Sequence, residues 1–381
     1  MTPIPTRPRP PAGRAKSLAS LLLVGSLAAI AAGCSGDSEA AETTAAPTVP
    51  ETTEAPTTTR KTTTTTDATT TTTTTTLPPT TTTEPVIPRM PLTGVPLEFG
   101  QGAPDRPALV VKLDNNPKAR PQSGLNSADI VFEEIVEVGT RFAAVFHTTS
   151  ANPVGPIRSG RTQDIDLLGG LQRPLFAWSG GNAIVTRAIA ESDFIDTYHR
   201  APRGTYRRQG NNGSPHNLYS DTDALWALTP PEAGRPVPLF SYLKPGVAPA
   251  GSPVSRAEIR MDSDNVVWEW SPEIQAFVRS TNGSPHNDAN TNERVNATNV
   301  VILDTPYRPS YADRNSPEAV TIGGGAATVL SGGTVRTGHW LRNTRTDGIA
   351  LFADDGTTIE LLPGRTWVEL RDPLDPAPVL G

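Results

Sequence analysis

The sequence predicts an α/β domain followed by a mainly β domain, both behind a long disordered N-terminal tether. Strand and helix patterns alternate between residues 91 and 236, and strand patterns alone fill residues 254–381. The first ninety of the 381 residues lack the composition of a packed core. We therefore expect a signal peptide (1–33), a tether (34–90), the α/β domain (91–236), a Pro/Gly-rich linker (237–253) and the β domain (254–381).

The N-terminal segment leads to a single cysteine, Cys34, which predicts a lipid anchor. Four basic residues and no acid occupy the first sixteen positions, and the apolar run Leu18–Ile30 is too short to span a bilayer comfortably. Small residues precede Cys34, an arrangement that resembles the lipobox of bacterial lipoproteins. The resemblance implies that Cys34 becomes the first mature residue and carries acyl chains such as palmitate on the extracytoplasmic face of the cell membrane. An ordinary secretory signal with an unrelated cysteine is the alternative.

The tether is rich in threonine and proline and contains no aromatic residue, so it offers no apolar surface to offset the entropy of folding. Residues 35–86 hold seven acidic and two basic side chains, and the part that follows is also mildly acidic. This charge balance argues against nucleic acid as a partner. Thr/Pro-rich stalks of this kind are typical acceptors of O-linked sugars.

Apolar patterns place four strands and three helices in the α/β domain. The strands are expected at Ala108–Leu113, Asp129–Val136, Arg141–His147 and Leu175–Ser179, with the second and third forming a hairpin. The helices are expected after an N-cap at Thr162, over Asn182–Glu191, and from a cap at Asp221 or Thr222 through Leu228. In the second helix the apolar face is predicted to consist of Ile184, Val185, Ala188 and Ile189.

The C-terminal segment shows strand patterns and no helical periodicity. The predicted strands are Arg256–Met261, Val266–Trp270, Gln275–Arg279, Asn299–Leu303, Ala327–Leu330, His339–Arg342, Ile349–Phe352, Thr357–Leu361 and Trp367–Leu370. Four tryptophans fall in this segment, and we expect them to pack in its core: Trp268, Trp270, Trp340 and Trp367.

One hexapeptide, Asn-Gly-Ser-Pro-His-Asn, occurs twice, at Asn212–Asn217 and at Asn282–Asn287. In each copy a Gly-Ser-Pro turn is followed by a histidine, His216 or His286, and Asp288 lies two residues beyond the second. Two histidines and an acid could share proton transfer or hold a divalent metal. The alternative is that each histidine hydrogen-bonds within its own loop, and we favour this over a metal site because no tightly spaced ligand pair supports one.

Two loops carry polar groups suited to an anion. Arg120, Gln122 and Ser123 lie on one loop, and Arg158, Ser159 and Arg161 lie on another. Both loops follow strands of an α/β unit, where ligands usually bind, and two arginines can clamp a carboxylate or a phosphate. The acidic residues of the intervening hairpin, Glu133, Glu134 and Glu137, could instead pair with these arginines in an internal network.

The chain resembles the YerB-like bacterial lipoproteins (domain of unknown function 3048). The resemblance rests on five stretches of the α/β domain and three of the β domain: Arg120–Gly124, Ala128–Glu133, Thr140–Phe142, Gly155–Arg161, Pro215–Tyr219, Thr298–Ile302, Gly338–Trp340 and Pro363–Trp367. It implies an envelope lipoprotein of two paired domains with no settled activity. No catalytic residue can be carried over from it.

These observations favour a binding or scaffolding protein of the cell envelope over an enzyme. We expect it to recognise an anionic ligand, a peptidoglycan fragment or a partner protein, through the two arginine loops together with His216 and Asn217. The alternative is an envelope hydrolase that acts on wall material through His216, His286 and Asp288, with Asp164 or Asp166. The sequence shows no cofactor motif, so we expect no cofactor, and a lipidated Cys34 excludes thiol catalysis.

Overall fold

The computed structural model describes residues 87–381, so the predictions for the signal peptide, for Cys34 and for nearly all of the tether lie outside the described residues. Within residues 87–381, no helix is long and apolar enough to cross a membrane.

The first half of the described chain contains the helices. Its strands are β1 (Leu109–Asp114), β2 (Ile130–Ile135), β3 (Thr140–Phe146), β4 (Leu175–Ala177), β5 (Ile195–Asp196), β6 (Arg207–Arg208) and β7 (Leu218–Tyr219). Its helices are α1 (Gln163–Leu167), α2 (Ala183–Glu191) and α3 (Thr222–Trp226), with short 3₁₀ turns at Pro117–Ala119, Leu125–Ser127 and Gly169–Leu171. The predicted hairpin of β2 and β3 is confirmed, and all three predicted helices form, although α1 and α3 are shorter than expected.

The second half, from residue 252 to the end of the described chain, contains strands and no helix. The strands are β8 (Ser252–Pro253), β9 (Arg256–Met261), β10 (Asp264–Ser271), β11 (Ala276–Thr281), β12 (Ser284–Pro285), β13 (Asn296–Ala297), β14 (Asn299–Asp304), β15 (Tyr307–Pro309), β16 (Pro317–Ala319), β17 (Gly323–Ser331), β18 (Thr334–Arg342), β19 (Ala350–Ala353), β20 (Thr366–Arg371) and β21 (Val379–Leu380). The predicted fold class, an α/β part followed by a mainly β part, is confirmed.

A single large sheet joins the two halves. Its order within the described chain is β19-β18-β17-β14-β20-β2-β3-β1-β4-β5, and β8 adds to β18. The junction lies where β2 of the first half pairs in parallel with β20 of the second half, from Ile130 opposite Thr366 to Glu133 opposite Glu369. β20 also pairs in parallel with β14, so three central strands run in one direction.

The core lies on both faces of this sheet. One face packs against a second sheet of order β12-β11-β10-β9-β21, and Val111, Phe142 and Trp367 meet Trp268 and Phe277 there. The opposite face is covered by the α1 and α2 region. Because both faces are covered, every residue of β1, β2, β3 and β20 is buried. The core prediction is confirmed for three of the four tryptophans, Trp268, Trp340 and Trp367, while Trp270 is partly buried.

Some local predictions are wrong. Thr162 precedes α1 but does not cap it, because its hydroxyl donates to Glu318 instead (2.7 Å). Ile184 is exposed on α2, whose buried residues are Val185 and Ile189. The segment Thr357–Leu361 is not a regular strand, although Thr358 and Leu361 form isolated bridges.

Candidate functional site

Loops from different parts of the first half meet at the end of β1, around Asp114. The carboxylate oxygen Oδ2 of Asp114 accepts a hydrogen bond from Arg158 Nε (3.2 Å) and lies 2.6 Å from His216 Nδ1. The backbone amide of Asp114 donates to the carbonyl of Pro156 (2.9 Å), which holds the second arginine loop against β1. The structure therefore brings together two of the predicted site residues, Arg158 and His216, on a carboxylate that the sequence reasoning missed.

His216 is fixed by this carboxylate. An ionised carboxylate can only accept, so Nδ1 of His216 carries the proton and donates it to Asp114. The imidazole side chain is 15% exposed, and its other nitrogen, Nε2, makes no hydrogen bond to a described residue. His216 and Arg158 therefore share one carboxylate, and Nε2 of His216 is left without a described partner.

His286, the histidine of the second hexapeptide, lies in a buried chain of hydrogen bonds. Its Nδ1 is 2.5 Å from Arg279 Nη1, and its Nε2 is 2.7 Å from Gln122 Oε1. Arg279 in turn donates to Glu133 Oε2 (2.6 Å). Burial, together with the charges of Arg279 and Arg120, lowers the pKa of His286 well below its usual value, so the ring is neutral. The two histidines have different partners, and Gln122 links them through its amide, which donates to the Asp114 carbonyl (2.9 Å).

Asp288 holds a loop in place. Its two oxygens accept from the backbone amides of Gly124, Asn126 (2.8 Å) and Asn290 (2.7 Å), and the residue is fully buried. Asp164 also has an internal partner, because it accepts a hydrogen bond from Lys112 Nζ (2.7 Å). In the part of the chain that is described, no group of three or more histidine or acidic side chains is arranged to hold a metal ion.

The residues of the loop that carries Arg120, Gln122 and Ser123 mainly make structural contacts next to the site. Gln122 is fully buried, and the backbone of Ser123 pairs with that of Gly155 in both directions (2.8 and 3.2 Å). Arg120 donates to Asn115 Oδ1 (3.0 Å) and also lines a separate cavity of about 250 Å³ beside His286. Of the predicted residues outside this loop, Asn217 accepts a hydrogen bond from Arg208 (2.7 Å) in the β6–β7 hairpin.

Arg141 and Arg158 contact Ser159, and Arg161 lines the same cavity as Ser159. We call Arg141, Arg158, Arg161 and Ser159 the arginine cluster. Arg141 Nη1 donates to the Ser159 carbonyl (3.3 Å), and Arg158 Nη1 donates to the Ser159 hydroxyl (3.3 Å). Arg161 donates to Glu137 Oε2 (2.5 Å), but its Nε is buried without a hydrogen-bond partner among the described residues. Arg161 pairs with Glu137, as the internal-network alternative expected, whereas Arg158 pairs with Asp114 and Arg141 forms no ion pair with a described residue.

Burial and neighbouring charges shift pKa values in and beside the arginine cluster. Burial and the charges of Arg161 and Arg158 lower the pKa of Arg141 to about 9. Burial opposes ionisation of Glu137, but the hydrogen bond and charge of Arg161 outweigh it and lower the pKa of Glu137 to about 2. Arg141 therefore carries a buried positive charge that its surroundings neutralise only in part.

A buried lysine, Lys112, is linked to the arginine cluster through Asp164. Lys112 is fully buried in β1 between Asp164 and Glu134, and burial lowers its pKa to about 8 against the opposing effect of Asp164. Asp164 also accepts the backbone amide of Arg161 (2.7 Å), which positions that arginine. Sequence reasoning missed Lys112 and Arg141. Each is a charged residue inside an apolar strand, where charged side chains are rarely buried unless they are paired.

A cavity of about 210 Å³ opens beside the arginine cluster. Ser159 and Arg161 form one wall, and the first turn of α2 and the loop after β15 form the rest, with these lining residues: Glu137, Gly181, Asn182, Val185, Ser310, Ala312, Asp313 and Ser316. Its polar lining and its position at the end of a strand suit a small charged group.

Comparison with known proteins places this architecture in a family. Residues 92–234 match the N-terminal domain, and residues 257–368 the C-terminal domain, of the family described as "Protein of unknown function (DUF3048)". The chain belongs to this family. The predicted membership is confirmed, and both matched segments of the DUF3048 family contribute to the large sheet.

YerB of Bacillus subtilis supports the assignment to the DUF3048 family both by sequence and by structure. "Putative lipoprotein YerB" of Bacillus subtilis (strain 168) is 26% identical over 303 residues, which covers 76% of this chain and 88% of that protein. The crystal structure of YerB protein from Bacillus subtilis superposes with a TM-score of 0.62 at 25% identity, over 77% of this chain and 99% of that one. The fold is therefore shared with a solved structure, and none of these descriptions states an activity.

Proposed function

We propose that this protein is a lipid-anchored component of the cell envelope that binds an anionic ligand at the arginine cluster. The observation that carries the proposal is Arg141, whose buried guanidinium hydrogen-bonds to a carbonyl oxygen and forms no ion pair with a described residue. A buried charge without a partner is costly, and a carboxylate or phosphate bound beside it would remove that cost.

The neighbouring groups suit such an anion. Arg158 and Arg161 can each add donors, and Ser159 and Arg161 line the adjoining cavity. Arginine forks match the geometry of carboxylate and phosphate oxygens, and burial strengthens these contacts because water competes less.

The lipid anchor sets where the ligand is found. Cys34 follows a short apolar run and small residues, and the YerB relative is named a putative lipoprotein. Acyl chains on Cys34 would hold the folded part outside the cell membrane on its long tether. Peptidoglycan fragments and partner proteins both occur in that space and carry carboxylates.

Cosedimentation with purified cell-wall sacculi tests the proposal. The full-length chain in detergent is compared with Arg158→Ala/Arg161→Ala and with the charge-matched control Arg256→Ala/Arg260→Ala. We expect at least a tenfold loss of affinity in the first variant and none in the control. Equal binding by all three proteins, or no binding of sacculi and of inorganic phosphate by the wild type, would contradict the proposal.

The Asp114–His216 pair supports a second candidate, a hydrolase that acts on wall material. A carboxylate that orients a histidine, whose second nitrogen is available, is the arrangement of a general base. The proposal rests on His216 with Asp114, because His286 and Asp288 have internal partners. Soluble fragments released from sacculi by the wild type, and not by His216→Ala, would support this candidate. An absence of released fragments would eliminate it.

A further inference from the structure

A stretch beside the arginine cluster contains basic residues and no acidic residue. Residues 197–220, which we call the basic loop, contain four arginines and two histidines but no acidic residue, within a chain whose net charge is −6. The loop begins after the edge strand β5, passes through β6 and β7, and includes His216 of the candidate site.

The charges of the basic loop point outward and are mostly uncompensated. Arg200, Arg203 and Arg208 are exposed, and none of the three forms an ion pair with a described residue. Arg208 donates to the neutral amide of Asn217. Arg207 is different, because it makes two hydrogen bonds of 2.8 Å to Asp221. Three free cations therefore remain on one exposed segment, which is a field that attracts anions.

Internal contacts hold the basic loop in a defined shape. The Tyr206 hydroxyl is 2.7 Å from Thr197 Oγ1, and the Ser220 hydroxyl donates to the Thr205 carbonyl (2.7 Å). The ring of Tyr198 packs edge-on against Tyr206, with 5.3 Å between centroids. A surface that is already ordered loses less entropy when it binds.

The backbone joins the basic loop to the arginine cluster. Arg208 is paired with Leu218 across the β6–β7 hairpin, and the Leu218 carbonyl accepts from the amide of Ile157 (2.6 Å), the residue before Arg158. Neighbouring strands lie about 4.8 Å apart, so the backbones at Arg208 and Ile157 are separated by about 10 Å. His216, which shares Asp114 with Arg158, connects the loop to the cluster a second time.

We propose that the basic loop and the arginine cluster form one continuous surface that binds a linear polymer with repeated phosphate groups. This inference rests on the proposed function, because it takes the arginine cluster as one end of the surface. Cations at several separate positions match an anion whose charges repeat, whereas a single small anion would use only the cluster. A flat membrane surface fits less well, because Arg141 and Arg161 are recessed and only the loop would reach its headgroups.

The test uses the full-length chain in detergent and three soluble probes: long-chain inorganic polyphosphate, inorganic phosphate and dihexanoyl phosphatidylglycerol. The variant Arg200→Ala/Arg203→Ala/Arg208→Ala is compared with the charge-matched control Arg173→Ala/Arg235→Ala/Arg260→Ala, whose arginines are exposed elsewhere on the protein. We expect the loop variant to bind polyphosphate at least tenfold more weakly, with a shallower salt dependence, and inorganic phosphate as the wild type does. The control should stay within twofold of the wild type.

Each outcome separates the two proposals. Equal polyphosphate affinity of the loop variant and the control would overturn the extended surface and leave the proposed function standing. A loss of phosphatidylglycerol binding as large as the loss of polyphosphate binding would also overturn it, in favour of lipid headgroups. If Arg158→Ala/Arg161→Ala keeps its affinity for inorganic phosphate, the proposed function fails, whatever the loop variant does. The variant Arg200→Lys/Arg203→Lys/Arg208→Lys, which preserves the charge of the loop, should retain polyphosphate binding.

Discussion

The residues that join the two halves of the sequence are buried charges. Glu133 accepts from Arg279 on one oxygen and from Thr140 (2.7 Å) on the other. Glu369 lies opposite Glu133 on the paired strand, and Trp268 donates to it (2.8 Å). Two carboxyl groups, Glu133 and Glu369, thus face the one guanidinium of Arg279 in the interior. We therefore expect the stability of the fold to be sensitive to substitution of these residues and to pH.

Replacing Arg279 with methionine should destabilise the fold strongly. The change leaves the buried Glu133 without its ion-pair partner, and such a loss costs about 3–5 kcal/mol. Urea unfolding measures the difference. Arg256→Met is the control, because the Arg256–Glu258 pair is largely exposed and such pairs contribute little to stability. Similar losses in the two variants would show that Arg279 does not compensate Glu133.

Glu369 should make stability fall as the pH rises. Burial and the charge of Glu133 raise its pKa well above the ordinary 4.5, although Arg279 opposes this. A carboxyl group with a raised pKa contributes stability below its unfolded pKa, and that stability is lost as the pH rises toward the folded pKa. We expect Glu369→Gln to become more stable relative to the wild type by about 1.4 kcal/mol per pH unit within that window. Parallel profiles for Glu369→Gln and wild type, as expected for the exposed control Glu360→Gln, would refute the idea.

At the residue scale the sequence identified most members of the site but not their partners. Arg158, Arg161 and His216 were singled out, and all three lie at the end of β1 or beside it. The internal-network alternative paired Glu133 with the loop arginines, yet its partner is Arg279, which is 146 positions away in the chain. That pairing depends on how the second sheet, which carries Arg279 on β11, packs on the large sheet, and no local pattern encodes this packing.

Among the elements, the edge of the large sheet depends on a close backbone contact. At Gly338 in β18, a Cβ atom would lie 1.9 Å from the Phe352 carbonyl oxygen of β19. Alanine at this position must displace β19, and overpacking of this kind costs about 1–3 kcal/mol. Gly213→Ala is the control, because nothing lies within 4 Å of its Cβ and its φ is not left-handed. Equal thermal midpoints for the two variants would show that β19 can be displaced without loss of stability.

Element predictions succeeded where local sequence dominates the outcome. The helix predicted over Asn182–Glu191 forms as α2, and Asn182 caps it by accepting from the amides of Ile184 and Val185 (3.0 Å each). The prediction of a cap at Thr162 was wrong because its hydroxyl forms hydrogen bonds with Ser310 and Glu318, which are far along the chain. The helix apolar face was partly wrong for a related reason, since tertiary packing buries Val185 and Ile189 and leaves Ile184 exposed.

For the whole molecule, the sequence predicted the order of fold types but not their union in one sheet. Periodicity reports whether a strand has a buried face, and it does not report which strand lies beside it. The parallel contacts of β2 with β20 and of β20 with β14 place segments from both halves at the centre of the sheet. The segment 237–253 therefore connects two halves that share a core.

A shared sheet should make the two halves unfold together. The central strands β2 and β20 each lose a buried neighbour if either half unfolds alone, which exposes apolar residues and leaves Glu133 without Arg279. We expect one calorimetric transition for the folded part, with the calorimetric enthalpy equal to the van't Hoff enthalpy. Arg279→Met should lower the midpoint of that single transition and not split it. Two resolved transitions, or a shift confined to one of them, would mean that each half is stable without the β2–β20 pairing.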